Sequence, residues 1–376
     1  MIASLAELAD PQACPRLVIK AGSALLVGSD GEPRREWLAT LVGEIAEALG
    51  RGQQVIVVSS GAIALGARRL ALAKGGRGSL ADAQAAASVG QIALSALWAE
   101  LLERHGVIAA QLLLTLDDLE DRRRYLNATA TLSRLLAAGA VPVVNENDSV
   151  ATNEIRFGDN DRLAARVAQA AGASGVILLS DVDGLYDRNP EKPGARLLPL
   201  VHGVTDEVHA MADAGSASGL GSGGMTSKLQ AAEIAERAGI ALAIVDGTHP
   251  RPLARALAQG KGTLFVPRRK DPGRKAWLGG RLRLKGGLVI DDGAARALAR
   301  GSSLLAPGIV AVEGSFARGD AVAVRDAAGA LLAQGLVEYD SAEVERLRGR
   351  QSSEHAAILG YAPRNAVIHR DQLVLR

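Results

Sequence analysis

Cysteine and aromatic residues are scarce in this chain of 376 residues. The single cysteine, Cys14, excludes an intrachain disulfide and a cysteine-ligated metal cluster, and it predicts a cytoplasmic protein in a reducing compartment. Only 3% of the residues are aromatic while 48% are hydrophobic, so we expect an aliphatic core. The formal net charge of +2 argues against a surface dominated by nucleic-acid binding.

The features of a targeting or membrane segment are also missing. Residues 1–15 contain acids but no base before Arg16, unlike a secretory signal peptide. We expect no membrane span, because no apolar run looks long enough to cross a bilayer. The six histidines lie outside every polar loop described below, so we assign none of them a catalytic role.

Strand-like and helix-like runs alternate through residues 1–267. Continuous apolar strands separated by helices predict an α/β fold, with a mostly parallel sheet covered by helices on both faces. The predicted strands are 17–19, 55–58, 112–114, 141–144, 176–179 and 241–245. The predicted helices are 34–49, 80–104, 117–138, 160–171 and 226–238, with C-cap glycines at Gly50, Gly139, Gly172 and Gly239.

The pattern changes after a basic stretch at 268–276, which contains proline and glycine and predicts a linker. Residues 277–376 have short strand patterns and glycine turns, which predict a small β-barrel or sandwich with one or two short helices. The strands expected there are 282–290, 308–312, 321–324, 331–337 and 366–375.

Two polar clusters flank one connection in the first region. The string Asn-Glu-Asn-Asp at 145–148 ends an apolar strand, and Gly-Asp-Asn-Asp at 158–161 opens a helix. Ligands bind at the carboxyl ends of strands in α/β sheets, and a helix N-terminus favours anions. Either cluster alone would more often be a turn or a helix cap. Together they predict a polar binding site.

Two further strand ends carry small polar residues. Lys20 comes at the end of a buried strand, where a lysine is costly unless it has an anionic partner, and Gly22 would let a phosphate approach the backbone. The alternative is a lysine that extends to solvent. Ser60-Gly61-Ala62 leaves free N–H groups and room for a carboxylate or phosphate, although tight turns commonly use Ser and Gly as well.

Two loops later in the chain fit a nucleotide. The acidic stretch 180–186 could hold a base or ribose, or be an ordinary Asp-Gly turn. The glycine-rich stretch 219–228 could wrap phosphates with its amides, or be a flexible linker. It is not a Walker A loop, because Lys228 does not directly follow a glycine. Two lysines, several carboxylates and no nucleophile–histidine pair suit phosphoryl transfer.

In order and spacing, these strings resemble the amino-acid kinase family, and most closely its branch that phosphorylates L-glutamate in proline biosynthesis. The resemblance implies a kinase domain at 1–267, a linker at 268–276 and a PUA domain at 277–376. It implies ATP and Mg²⁺ as cofactors and L-glutamyl 5-phosphate and ADP as products. Ala24 and Ser180 depart from the family pattern, and neither change removes a charge.

The resemblance also implies roles by position. Lys20 and Lys228 would grip the transferring phosphoryl group, and Asp161 would orient both lysines. With the strand-end arguments, the predicted glutamate site comprises Ser60, Gly61, Ala62, Asn145, Asp148 and Asn160. The predicted ATP site comprises Lys20, Gly22, Ser180, Asp181, Tyr186, Ser222, Gly223, Gly224, Met225, Thr226, Ser227 and Lys228.

Alternative functions remain open at this point. Acetylglutamate kinase, aspartokinase and carbamate kinase are relatives, but the acidic string at 145–148 favours a substrate with a free α-ammonium group. An RNA-binding protein acting through the PUA domain would have only four aromatic residues there for base stacking. The resemblance further implies a homo-oligomer, feedback inhibition by proline, and a glutamyl phosphate reductase as partner.

Overall fold

The computed structural model describes residues 2–28, 30–150, 159–213, 224–268, 284–361 and 363–375. The chain forms two compact units, Met1–Lys270 and Asp271–Arg376. The division falls within the predicted 268–276 linker. The exact bounds of that linker stay a prediction, because residues 269–283 lie outside the described ones.

Eight strands form one sheet among the described residues of the first unit. They are β1 (Arg16–Ala21), β2 (Gln54–Ser59), β3 (Ala109–Leu114), β4 (Val141–Glu146), β5 (Gly175–Ser180), β6 (Leu200–His202), β7 (Ala241–Asp246) and β8 (Thr263–Val266). Their order is β3-β4-β2-β1-β5-β7-β8-β6. Within this sheet only β7 and β8 pair antiparallel, so the predicted mostly parallel sheet is confirmed.

The helices of the first unit connect these strands. They are α1 (Ser23–Leu26), α2 (Arg35–Gly50), α3 (Ala62–Arg69), α4 (Leu80–Glu103), α5 (Leu116–Glu120), α6 (Arg122–Ala137), α7 (Asp159–Ala171), α8 (Asp206–Asp213), α9 (Met225–Arg237) and α10 (Pro252–Gln259). Short 3₁₀ turns occur at Ala6–Ala9 and Ala73–Gly76.

Apolar side chains cover both faces of the sheet. Successive residues of a strand point to opposite faces, so Ile19 of β1 packs in the cluster that includes Trp98 of α4, whereas Val18 packs with α6, α7 and α9. In α7 the buried residues Leu163, Val167 and Ala171 recur at a spacing of four, which gives the helix one apolar stripe. The predicted helical cover on both faces is therefore confirmed.

Several element predictions differ from the structure. The single helix predicted at 117–138 is wrong, because Asp121 starts a new helix by accepting a hydrogen bond from the Arg124 N–H. The elements α1, α3, α8, α10, β6 and β8 were not predicted. Gly50 is wrong as a C-cap, since it is the last residue of α2 and the positive φ of 88° falls at Gly52.

The helix α4 bears on the expectation of no membrane span. At 24 residues it is long and apolar enough to cross a bilayer by length and composition alone. A core helix passes the same test, and Leu94, Trp98 and Leu102 of α4 are buried in the core of the first unit. The premise that no apolar run is long enough was wrong, but packing accounts for the apolar residues on the buried side of α4.

The second unit contains two small sheets among its described residues. The strands are β9 (Gly286–Ile290), β10 (Leu304–Leu305), β11 (Ile309–Gly314), β12 (Ala321–Arg325), β13 (Leu331–Leu336), β14 (Ala366–Ile368) and β15 (Leu373–Leu375). One sheet has the order β11-β9-β12-β13-β15, and the other pairs β10 with β14. The core includes Val322, Tyr339 and Leu347.

The second unit also departs from its prediction in detail. The described part of this unit contains three helices, α11 (Asp292–Ala299), α12 (Ser341–Leu347) and α13 (His355–Leu359), where one or two were expected. The predicted strand 366–375 is two strands separated by the 3₁₀ turn Arg370–Gln372. The expectation of a small β-rich unit is met.

Candidate active site

A buried carboxylate joins two lysines at the carboxyl ends of the central strands. Asp161 lies in the first turn of α7, and its side chain is 1% exposed. Lys20 Nζ lies 2.6 Å from Asp161 Oδ1, and Lys228 Nζ lies 3.3 Å from Oδ2. The Ser227 hydroxyl donates to Oδ2 at 3.0 Å. Three distant parts of the sequence thus meet at one carboxylate.

The charges of this cluster keep Asp161 ionised. Burial raises the pKa of Asp161, but the positive charges of Lys20 and Lys228 outweigh burial and hold the pKa below its usual range. The cluster therefore carries one excess positive charge at neutral pH. Because both ammonium groups are about nine-tenths buried, with side chains 9% and 11% exposed, this charge is only weakly screened by water.

Gly22 keeps space open beside this cluster. A Cβ added at Gly22 would lie 3.5 Å from Lys20 Nζ, so a side chain there would occupy space next to the ammonium group. Gly22 also directly precedes α1 as its N-cap residue. The arrangement suits the close approach of an anion to Lys20 and to the backbone.

A second network, made of neutral groups, lies beside the charged cluster. Asn160 Nδ2 donates to Ser60 Oγ at 2.7 Å and to Asn145 Oδ1 at 3.1 Å. Asn145 in turn donates from Nδ2 to Gln91 Oε1 of α4 at 2.8 Å. The structure thus brings together three residues of the predicted glutamate site and ties them to α4.

The turn after β2 depends on close packing against α4. Gly61 has a φ of 104°, which strains any L side chain, and Ala62 begins α3. A Cβ at Gly66 would lie 1.8 Å from the Ala86 carbonyl oxygen, and one at Gly90 would lie 1.8 Å from that of Ala62. The two helix backbones therefore touch, which fixes where α3 begins.

Gln91 and Trp98 were missed as site residues. Trp98 is buried, and its Nε1 donates to Ser59 Oγ at 2.9 Å, next to Ser60. Both residues lie on α4 and contact the site from there, although they are far in sequence from the strand ends used to predict it. The one sequence signal for this packing is Gly90 inside a helical pattern, which often marks a close helix contact.

Asp148 lies in the turn after β4, close enough to Arg77 for the two charges to interact. Burial lowers the pKa of Arg77, and the negative charge of Asp148 opposes that shift. Arg77 follows the 3₁₀ turn between α3 and α4, where no predicted site residue lies. An acid and a base near one another could together recognise a zwitterion.

The predicted nucleotide residues are partly described. Ser180 ends β5, the strand next to β1, and its hydroxyl donates to Asp181 Oδ1 at 3.1 Å. The Tyr186 hydroxyl donates to Asp183 Oδ2 at 3.2 Å. Gly224 is the N-cap of α9, Met225 begins that helix and Thr226 is exposed. Ser222 and Gly223 lie outside the described residues.

Known proteins match both units of the chain. Residues 15–246 match the amino acid kinase family, and residues 286–359 match the PUA domain. The chain is 71% identical to a glutamate 5-kinase of Novosphingobium aromaticivorans over 374 residues, covering 100% of this chain and 99% of the relative. It is 60% identical to a glutamate 5-kinase of Sphingopyxis alaskensis, covering 98% and 100%.

The chain belongs to the amino acid kinase family. A solved UMP kinase from Bacillus anthracis aligns with a TM-score of 0.46 at 15% identity, over 68% of this chain and 97% of that one, which is too low to carry a conclusion. As an amino acid kinase the protein uses ATP. Lys20 and Ser180 lie near the carboxyl ends of the neighbouring strands β1 and β5 of its sheet.

The described residues contain no group of three His, Cys, Asp or Glu side chains placed to hold a metal ion. Mg²⁺ in phosphoryl-transfer sites is bound mainly by substrate phosphates and waters, with one or two carboxylates. Asp181, which directly follows β5, is a carboxylate available for such a role in an amino acid kinase. The residues present therefore fit a Mg²⁺ ion carried by the nucleotide.

Proposed function

We propose that the protein transfers the γ-phosphoryl group of ATP to the side-chain carboxylate of L-glutamate, forming L-glutamyl 5-phosphate and ADP as the first step of proline biosynthesis. The observation that carries the proposal is Asp161, one buried carboxylate that holds two lysines at the carboxyl ends of parallel strands. The two glutamate 5-kinases that match this chain over their full length support glutamate as the acceptor.

The chemistry needs no general base. A glutamate side chain in water has a pKa of about 4.3, so it is already a nucleophile at neutral pH. The obstacle is repulsion, since two like charges about 4 Å apart cost about 4 kcal/mol at an effective dielectric constant near 20. Lys20 and Lys228 offset this repulsion from fixed positions, because Asp161 holds both ammonium groups before the substrates arrive.

The neutral network orients the acceptor. Asn160 fixes the Ser60 hydroxyl at 2.7 Å, and Asn145 fixes Asn160 in turn. We assign the α-ammonium group of glutamate to Asp148 and its α-carboxylate to the N–H groups of Gly61 and Ala62, since the Ser60 N–H donates to the Ala21 oxygen at 3.2 Å. A free ammonium group needs an acidic partner, whereas the acetylated amine of acetylglutamate does not.

In the proposed donor site, ATP binds to Gly22, Ser180, Asp181, Tyr186 and the 222–228 loop. Mg²⁺ bound to the phosphates would neutralise part of their negative charge, and we propose Asp181 as a protein ligand. Ser227 would act through Asp161, because its hydroxyl already donates to that carboxylate.

Release of ADP across a panel of acceptors tests the substrate. We expect rapid release with L-glutamate and at most slow release with N-acetylglutamate, aspartate or carbamate. Release with N-acetylglutamate that equals or exceeds release with glutamate would contradict the assignment of Asp148, because the acetylated amine carries no charge for a carboxylate to bind.

We also propose that the protein is a homo-oligomer in the cytoplasm. Ile92 on α4 is 72% exposed, and Ile108 and Leu113 at the edge strand β3 are 68% and 37% exposed. Because β3 ends the sheet, its outer side offers unpaired backbone groups next to these apolar side chains. Light scattering on Ile92→Glu should show a smaller particle than the wild-type protein.

Regulation and partners follow the same proposal. Proline, the end product, would inhibit as a feedback effector, and glutamyl phosphate reductase would consume the unstable acyl phosphate. The kinase domain at 1–267 would carry the chemistry, since every residue proposed to contact glutamate or ATP precedes Arg237. A protein ending at Arg268 should then retain activity, and the PUA domain at 277–376 would affect only regulation or assembly.

A further inference from the structure

The segment Lys261-Gly262-Thr263 contacts the loop that follows β5 through three separate interactions. Lys261 Nζ lies 2.9 Å from Asp183 Oδ2. Thr263 Oγ1 accepts the Leu185 N–H at 2.7 Å and donates to the Leu198 carbonyl oxygen at 2.7 Å. The segment begins β8, an element that was not predicted, and it lies outside every motif that marked the site.

Thr263 fixes the backbone of this loop. It is fully buried, and its hydroxyl satisfies one donor and one acceptor of the loop. Leu185 and Leu198 also bond to each other, with the Leu198 N–H donating to the Leu185 oxygen at 2.8 Å. A Cβ at Gly184 would lie 2.5 Å from Thr263 Oγ1, so the loop can approach the threonine this closely only with glycine there.

Lys261 fixes the side chains of the same loop. Asp183 lies between two partners, since Oδ2 also accepts the Tyr186 hydroxyl at 3.2 Å. Without Lys261, the carboxylate of Asp183 would repel a polyanionic nucleotide. An exposed ion pair alone contributes little to stability, so the main effect of Lys261 is expected on charge near the loop.

We propose that Thr263 and Lys261 are positioning residues for the nucleotide, with Thr263 holding the loop backbone and Lys261 holding and neutralising Asp183 beside Tyr186. The ligand is a nucleoside triphosphate, recognised by a loop that is fixed before binding. This inference rests on the proposed function in one respect, the assignment of the loop after β5 to the nucleotide site.

Isosteric variants test the role of Thr263. Thr263→Val keeps the shape and removes the hydroxyl with both of its hydrogen bonds to the loop. We expect the Kd for ADP and the KM for ATP to rise about 5–10-fold, because the loop is then no longer fixed before the nucleotide binds. The KM for glutamate and kcat should stay within about 2-fold of wild type. Thr263→Ser, which keeps the hydroxyl, should restore nucleotide binding.

Thr40 offers a matched control. Its hydroxyl likewise donates to a carbonyl oxygen, that of Trp37 at 2.7 Å, and accepts a backbone N–H, that of Arg251 at 3.0 Å. Thr40→Val should lower stability without changing either KM. Equal increases in both KM values for Thr263→Val, or an unchanged Kd for ADP in the folded variant, would overturn the proposal.

Lys261→Met keeps the proposal testable if Thr263→Val does not fold, because the Lys261 side chain is 58% exposed. We expect weaker ADP binding by calorimetry and restoration by Lys261→Arg. Unchanged ADP affinity in Lys261→Met would contradict the role of Lys261. Calorimetry measures ADP binding without glutamate, so it tests this inference separately from the proposed function. If the protein binds ADP through these residues but does not phosphorylate glutamate, the proposed function is refuted and this inference is not.

Discussion

The two halves of the site have opposite chemistry. Around Asp161 the contacts are ionic, with two ammonium groups and one carboxylate buried together. Around Asn160, the very next residue of α7, they are hydrogen bonds between neutral amides and a hydroxyl. In the proposed function, the charged half would neutralise the polyanionic nucleotide, and the neutral half would orient the amino acid, with Asp148 as the partner of its ammonium group. The N-terminus of α7 contributes one residue to each half, Asp161 and Asn160.

Asp161→Asn should have the largest effect, because it removes the charge that holds both lysines. Breaking a buried ion pair from one side costs about 3–5 kcal/mol, so the free energy of unfolding should fall by that order. We expect kcat to fall by about 10²–10³-fold or more. Urea unfolding and steady-state kinetics measure the two effects.

Asp206→Asn is the matched control for this change. Asp206 also lies in the first turn of a helix, α8, but it is exposed. Its substitution should leave kcat unchanged and alter stability by less than about 1 kcal/mol. A folded Asp161→Asn protein with wild-type turnover would show that the two lysines need no carboxylate to hold them.

Lys228→Met should have the second-largest effect. If the lysine acts on charge in the transition state, as we propose, kcat should fall by about 10²–10³-fold while the KM for glutamate changes little. Lys285→Met, a change in the second unit, should leave both constants unchanged. If kcat is retained in Lys228→Met, the ammonium group is not part of phosphoryl transfer.

Asn145→Ala should have a smaller effect, and this effect should be on the KM for glutamate instead of on kcat. The substitution removes the acceptor of Asn160 and the donor to Gln91, so Ser60 loses its fixed orientation. A loss of about 1–2 kcal/mol in the free energy of glutamate binding corresponds to a rise of about 5–30-fold in the KM for glutamate. We expect little change in kcat. Asn127→Ala on the exposed side of α6 serves as the control. A selective loss of kcat would place Asn145 in the charged half instead.

The pH dependence of stability should show the smallest effect. The folded-state pKa of Asp161 lies below its usual value. The ion pairs therefore stabilise the fold fully above the unfolded pKa of about 3.9, and this contribution is lost as the pH falls through the folded value. The difference in Tm between wild type and Asp161→Asn should accordingly narrow between neutral pH and about pH 3. A constant difference would show that Asp161 does not titrate differently in the folded state.

The sequence predicted the residues of the charged cluster better than the residues that hold the surrounding strands and loops in place. Lys20, Asp161 and Lys228 lie in short strings, and their clustering follows from parallel strands that end at the same side of the sheet. Gln91, Trp98 and Thr263 act across distant elements, so no local pattern marked them. The break between α5 and α6 was readable in principle, because an Asp followed by a helical run is a common N-cap.

The most direct measurement traps the product. Hydroxylamine converts an acyl phosphate to a hydroxamate, so wild-type protein with ATP, Mg²⁺ and L-glutamate should form γ-glutamyl hydroxamate in step with ADP. Lys228→Met and Asp161→Asn should lose both products together. ADP release without hydroxamate in the wild-type protein would contradict transfer to the glutamate side chain.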